Sequence, residues 1–269
     1  MAPTYHLLAV LYALFLWWFS TGLILYLDRL PQRTFPWTML GATALLVAVL
    51  GLLAADAADT TVFGAVLAFT CGLVVWGWNE VAFLLGYLAG PNRSPRPANA
   101  GGWLRLKLAV GTILYHEIAI AVGAAALFAA TWNGPSQIAA WTYVVLWAMR
   151  LSTKINVFLG VPNHAEAMNL FFPVSISACS VLLVVLGLQA SDPTASAHGA
   201  AGATFLAALV ALALIEHWFL VLPMPSSALW SWSIRSQSSA RHSPAPVPAP
   251  AGAGARVPSS SSVEPWSRP

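Results

Sequence analysis

Apolar runs of about twenty residues, nearly free of charge, follow one another from the start of the chain to Leu222. A helix needs about 20 such residues to cross a hydrocarbon core about 30 Å thick. Seven candidate spans can be drawn: residues 5 to 27, 37 to 55, 62 to 89, 106 to 130, 137 to 160, 170 to 189 and 200 to 222. The first has neither the basic flank nor the small-residue cleavage site of a secretory signal, so it reads as a retained helix. The sixth carries Pro173 in its first turn, where a missing amide donor is tolerated. Composition agrees: 58% of the residues are hydrophobic and 8% charged, and mean hydropathy is +0.72. Soluble domains are about one quarter charged. The expected fold is an all-α integral membrane bundle of about seven transmembrane helices.

The basic residues give an orientation. Arg29 and Arg33 fall in the first loop, Arg93, Arg96, Arg105 and Lys107 in or beside the third, and Arg235, Arg241, Arg256 and Arg268 in the tail. Arg150 and Lys154 lie in the later half of the fifth span, whereas the even loops carry Asp56, Asp59 and Asp192 and no basic residue. Positive charge stays inside, so the N-terminus is expected outside (periplasmic) and the C-terminus in the cytoplasm. Residues 1 to 235 form the membrane domain on this reading. Residues 236 to 269, rich in Ser, Pro and Ala, are expected to be a disordered cytoplasmic tail, because they offer little apolar surface to offset ordering entropy. No P-loop, dinucleotide fingerprint or zinc-type cysteine spacing is present. The two cysteines, Cys71 and Cys179, both fall within spans.

Charges inside spans are expensive and normally face the bundle interior. Here they are Glu80, His116, Glu117, Arg150, Lys154, Glu216 and the adjacent His217. At a rise of about 1.5 Å per residue, Glu80, Glu117, Arg150 and Glu216 all sit roughly 9 to 15 Å below the inner surface. Four helices therefore bring ionisable groups to one level, which predicts a shared polar cluster. It can be an ion-pair network, with Arg150 able to grip a carboxylate bidentately. It can be a metal site, or a pigment site in which His116 or His217 supplies an axial nitrogen; His116, His217 and Glu117 are the candidate ligands. Spacing opposes a metal, because adjacent residues on a helix point about 100° apart. Most of the thirteen tryptophans fit interface anchoring, while Trp76, Trp78, Trp147 and Trp218 lie deeper, near the charges.

The segments "WWFSTGLILYLDRLP" (17 to 31), "LAFTCGLVVWGWNE" (67 to 80), "LYHEIA" (114 to 119), "TWNGPSQIAAWTYVVLWAMRLSTKINVFLGVPN" (131 to 163) and "LIEHWFLVLPMPSSALWSW" (214 to 232) resemble photosynthetic complex assembly proteins of the PuhE type. That family is encoded beside reaction-centre genes in phototrophic bacteria. The resemblance covers nearly all the spans and stops at the tail. It implies a multi-pass protein of the bacterial inner membrane, cytoplasmic or intracytoplasmic, that assists assembly of the reaction centre and its core light-harvesting antenna. The implied partners are their polypeptides, bacteriochlorophyll and lipid, and not nucleic acid. The implied cofactor is open: bacteriochlorophyll or a transition metal. A non-catalytic role is the preferred expectation. The rivals are a metal-dependent membrane enzyme acting on a pigment precursor or lipid, and a permanent subunit of the complex. Two positions depart from the family. Asn79 stands where relatives usually carry His, and "HAEAMNLFFP" after Asn163 replaces a longer aromatic and basic stretch.

Overall fold

The computed structural model describes residues 3–55, 58–91, 102–159, 171–222 and 230–231. The expected tail at 236 to 269 and the shortened segment after Asn163 lie outside the described residues, as do Asp56, Arg93, Arg96 and all four tail arginines. Among the described residues the fold is entirely helical, with seven α-helices: α1 (Pro3–Asp28), α2 (Phe35–Ala55), α3 (Val62–Leu84), α4 (Gly102–Thr131), α5 (Ile138–Leu159), α6 (Phe171–Ser191) and α7 (Ala197–Val221). Six are long and apolar enough to cross a membrane. The exception is α5, whose 22 residues span about 33 Å but whose second half holds Arg150, Ser152, Thr153, Lys154 and Asn156.

α3 occupies the centre, packed against α1, α2, α4, α5 and α7, while α6 lies along α7. The central helices approach closely through small residues, as bilayer packing without a hydrophobic drive requires. A Cβ on Gly72 of α3 would lie 2.6 Å from the carbonyl oxygen of Ala139 on α5. Phe69 of α3 and Phe205 of α7 stack with centroids 4.5 Å apart. Peripheral helices instead turn large apolar side chains outward: Leu7, Leu11 and Phe15 on α1, Val47 on α2, Val181 and Leu188 on α6. In a bilayer these faces meet lipid.

Helix ends explain where the observed elements depart from the apolar runs. The third run continues to Ala89, yet α3 stops at Leu84. Gly86 takes φ +84°, Tyr87 N–H donates to Ala82 O at 2.9 Å, and Gly86 N–H donates to Phe83 O at 3.0 Å. This is a Schellman cap, for which glycine is suited because it has no Cβ. The chain then returns to α4, where Gly90 N–H donates to Thr112 O at 2.8 Å. Thr61 and Ser196 cap α3 and α7, accepting from the N–H of Gly64 and of Gly199 respectively.

Candidate functional site

The C-terminal half of α3 presents Glu80 to a cavity of about 180 Å³ lined by α1, α3, α5 and α7. Arg150 of α5 and Glu216 of α7 line the same cavity, with the indoles of Trp17 and Trp76. Glu80 is 8% exposed. Its Oε2 lies 3.8 Å from Arg150 Nη2, and the Arg150 side chain is half exposed. That separation exceeds hydrogen-bond range, so the bidentate grip anticipated for Arg150 is not formed. On the other side, Oε1 lies 3.9 Å from His116 Nε2. Neither Glu80 Oε1 nor either ring nitrogen of His116 has a hydrogen-bond partner. The His116 ring is fully buried and stacks on Phe83, with centroids 4.3 Å apart.

Its sequence neighbour is satisfied. Glu117 Oε1 accepts from Lys154 Nζ at 2.7 Å, and Oε2 accepts from the Trp147 indole at 3.0 Å. Lys154 and Trp147 are seven residues apart on α5, two turns, so they lie on one face of that helix. Lys154 Nζ also stands 5.9 Å from the centroid of Phe83. The roughly 100° between neighbouring side chains sends His116 towards Glu80 and Glu117 towards α5.

His217 faces elsewhere. Its Nδ1 donates to Ala213 O at 2.7 Å, which leaves Nε2 to accept the Ser152 hydroxyl proton at 2.9 Å. One turn along α5, Asn156 Nδ2 donates to Ser175 Oγ of α6 at 3.0 Å. Asn79, at the departure from the family pattern, donates to the Tyr143 hydroxyl at 2.9 Å, and Tyr143 donates to Ile120 O at 3.1 Å. The amide thus belongs to a tie between α3, α4 and α5.

The seven candidates divide into three groups. Glu80, Arg150 and Glu216 line the cavity, with His116 beside Glu80; Glu117 pairs with Lys154; His217 joins Ser152. Among the described residues no three His, Cys, Asp or Glu side chains are arranged to hold a metal ion. Of the deeper tryptophans, Trp147 serves Glu117, Trp76 meets Tyr143 edge-on, Trp78 donates to Thr43 Oγ1, and Trp218 packs on Phe172.

Sequence reasoning passed over His198. Its Nδ1 donates to Thr61 O, and its Nε2 accepts from Ser136 Oγ, both at 3.0 Å. It joins the start of α7 to the connections before α3 and α5. The available signal was a histidine in a polar connection just ahead of an apolar run, beside the capping Ser196.

Helices packed around ionisable groups, most of them apolar enough to span a bilayer, define a multi-pass helical membrane protein. The family described as "Protein of unknown function (DUF3623)" matches residues 4–168 and 164–241, and the chain belongs to that family. It is 37% identical over 247 residues to the "Uncharacterized 30.4 kDa protein in puhA 5'region" of Rhodobacter capsulatus, covering 83% of this chain and 89% of the relative. No solved structure matches.

Proposed function

We propose that the protein is an assembly factor for a photosynthetic reaction centre and its core light-harvesting antenna, active in the cytoplasmic or intracytoplasmic membrane of a phototrophic bacterium. The observation that carries this reading is the similarity, over most of both chains, to a Rhodobacter capsulatus protein named for its position in the puhA 5′ region. It agrees with the placement beside reaction-centre genes that the sequence resemblance implies. The fold supplies a physical means: the outward apolar faces of α1, α2 and α6 can hold antenna or reaction-centre helices, or a bacteriochlorophyll, while interior polar contacts keep the bundle in register.

In this reading α5 is a seventh crossing. Its charged half is held by Glu117 and Glu80 inside the bundle, and its first half buries Ile138, Ala139, Ala140 and Tyr143. The N-terminus is periplasmic and the C-terminus cytoplasmic, because Arg29, Arg33 and Lys107 then share the positive side. Gene deletion tests the role. Near-infrared absorbance of the core complex should fall in the deletion strain and return on complementation, and an unchanged core complex would overturn the proposal. Fixed stoichiometry of this chain in purified core particles would instead make it a permanent subunit.

A further inference from the structure

On the other side of the bundle, a groove of about 370 Å³ runs between α1, α2 and α3. Its walls include Leu16 and Leu27 of α1, Trp37 and Leu45 of α2, and Thr70 and Val81 of α3, and almost all of the lining is apolar. Leu16 to Leu27 and Thr70 to Val81 each cover eleven steps of helix, about 16 Å. That is roughly one leaflet of a hydrocarbon core about 30 Å thick. The walls are fixed. At the deep end the hydroxyls of Tyr12 and Thr70 share a hydrogen bond at 2.9 Å, and along one side the Trp78 indole donates to Thr43 Oγ1 at 3.0 Å. Gly41 leaves the groove open, because a Cβ added there would meet nothing within 4 Å.

The mouth of the groove lies between Leu27 and Trp37, where the connection from α1 to α2 carries Arg29 and Arg33, both exposed. Among the described residues neither guanidinium has a hydrogen-bond or ion-pair partner, the neighbouring Asp28 included. The connection that carries them is ordered: Arg29 N–H donates to Tyr26 O at 3.2 Å, and Thr34 N–H to Pro31 O at 2.8 Å. Trp37, 74% exposed, stands beside them as an interface anchor does. We infer that this groove is a binding site for one anionic phospholipid, with an acyl chain lying along α1, α2 and α3 and the phosphate held by Arg29 and Arg33. Basic residues at the mouth of a pocket between membrane helices suit an anionic headgroup, and the apolar slot below them suits its chain. A transmembrane helix fits less well, since it crosses both leaflets whereas the groove ends near the middle of α1 and α2.

The test places the full chain in phosphatidylcholine nanodiscs and adds phosphatidylglycerol with a photoactivatable acyl chain, or phosphatidylcholine carrying the same chain. Labelled residues are mapped by peptide sequencing. One arginine near an anionic headgroup is worth about fivefold in affinity. Phosphatidylglycerol should therefore label the groove, at residues such as Leu23 and Val74, at least fivefold more than phosphatidylcholine does, and more than it labels Val181 and Leu188 on the outward face of α6. Replacing Arg29 and Arg33 together by Gln should bring groove labelling down to the phosphatidylcholine level. Gly41→Leu, which fills the groove and keeps both arginines, should lower it severalfold. Equal labelling by the two lipids in the wild-type chain overturns the proposal, and so does label spread evenly over the groove and α6; neither comparison needs a variant to fold. Groove labelling unchanged by Gly41→Leu overturns it as well, because the lipid would then be held at the surface alone. Exclusion of both lipids from the groove by a co-purifying polypeptide overturns it in favour of a partner helix. The inference stands apart from the assembly role, which is read from core-complex absorbance in cells and not from lipid labelling of the purified chain.

Discussion

At one end of the bundle His198 is held by the Thr61 carbonyl and the Ser136 hydroxyl, each at 3.0 Å. In the middle of α4, by contrast, the buried ring of His116 lies 3.9 Å from Glu80 and makes no hydrogen bond. The first imidazole joins three chain segments and has a partner on each ring nitrogen, so it reads as structure. The second retains hydrogen-bonding capacity beside a cavity and a half-satisfied carboxylate. Burial of a histidine therefore says little by itself about its role; what distinguishes the two is whether the neighbouring elements fill its lone pair and its N–H.

Substitutions can sharpen or break this contrast, with stability read by chemical unfolding in mixed micelles. The largest loss is expected for Lys154→Met, about 3 kcal/mol, which strands the Glu117 carboxylate; the figure takes the low end of the range because each side chain keeps about a fifth of its exposure. His198→Leu should lose about 2 kcal/mol, since it removes two hydrogen bonds, to the Thr61 carbonyl and from the Ser136 hydroxyl, together. Ser152→Ala should lose about 1 kcal/mol by taking the donor from His217. His116→Phe should change stability by less than about 1 kcal/mol, because the stack on Phe83 survives and no hydrogen bond is lost. A loss for His116→Phe equal to that for His198→Leu would erase the distinction between the two histidines.

The smallest effect is a pH dependence at the His198 end. Asp59 is partly exposed, and the Thr61 N–H and hydroxyl hold its carboxyl below the usual value of 3.8. A carboxyl depressed in the folded state contributes stability that is present above its unfolded pKa and lost as pH falls through its folded pKa. Asp59→Asn should therefore flatten the acid limb of the stability profile below about pH 4, leaving neutral pH unchanged. An acid limb identical to the wild type would show that the turn contributes nothing.

The helices themselves were legible because bilayer thickness imposes a length on every apolar run, and the common depth of Glu80, Glu117, Arg150 and Glu216 follows from counting along each helix. Partner choice was not legible. Whether Glu117 meets Arg150 or Lys154 depends on how α4 and α5 are rotated about their axes, and apolar runs that are lipophilic all round carry no such phase. The end of α3 was missed because the apolar residues continue past Leu84 while Gly86 turns the backbone. His198 was missed because its partners, the Thr61 carbonyl and Ser136, sit in connections where no periodicity points to them.

The central place of α3 also bears on the order in which the chain enters the membrane. Moving a lysine to the middle of a bilayer helix costs roughly 2.5 to 3.5 kcal/mol in translocon insertion, and α5, less apolar than its neighbours, carries both Lys154 and Arg150. Its counter-charges, Glu80 and Glu117, belong to α3 and α4, which the ribosome delivers first. When α5 emerges, both carboxylates are already in the chain to receive it. On the proposed seven-crossing topology, α5 would insert against those earlier helices, and a chain in which α5 preceded them would have to lodge two unmatched cations in lipid.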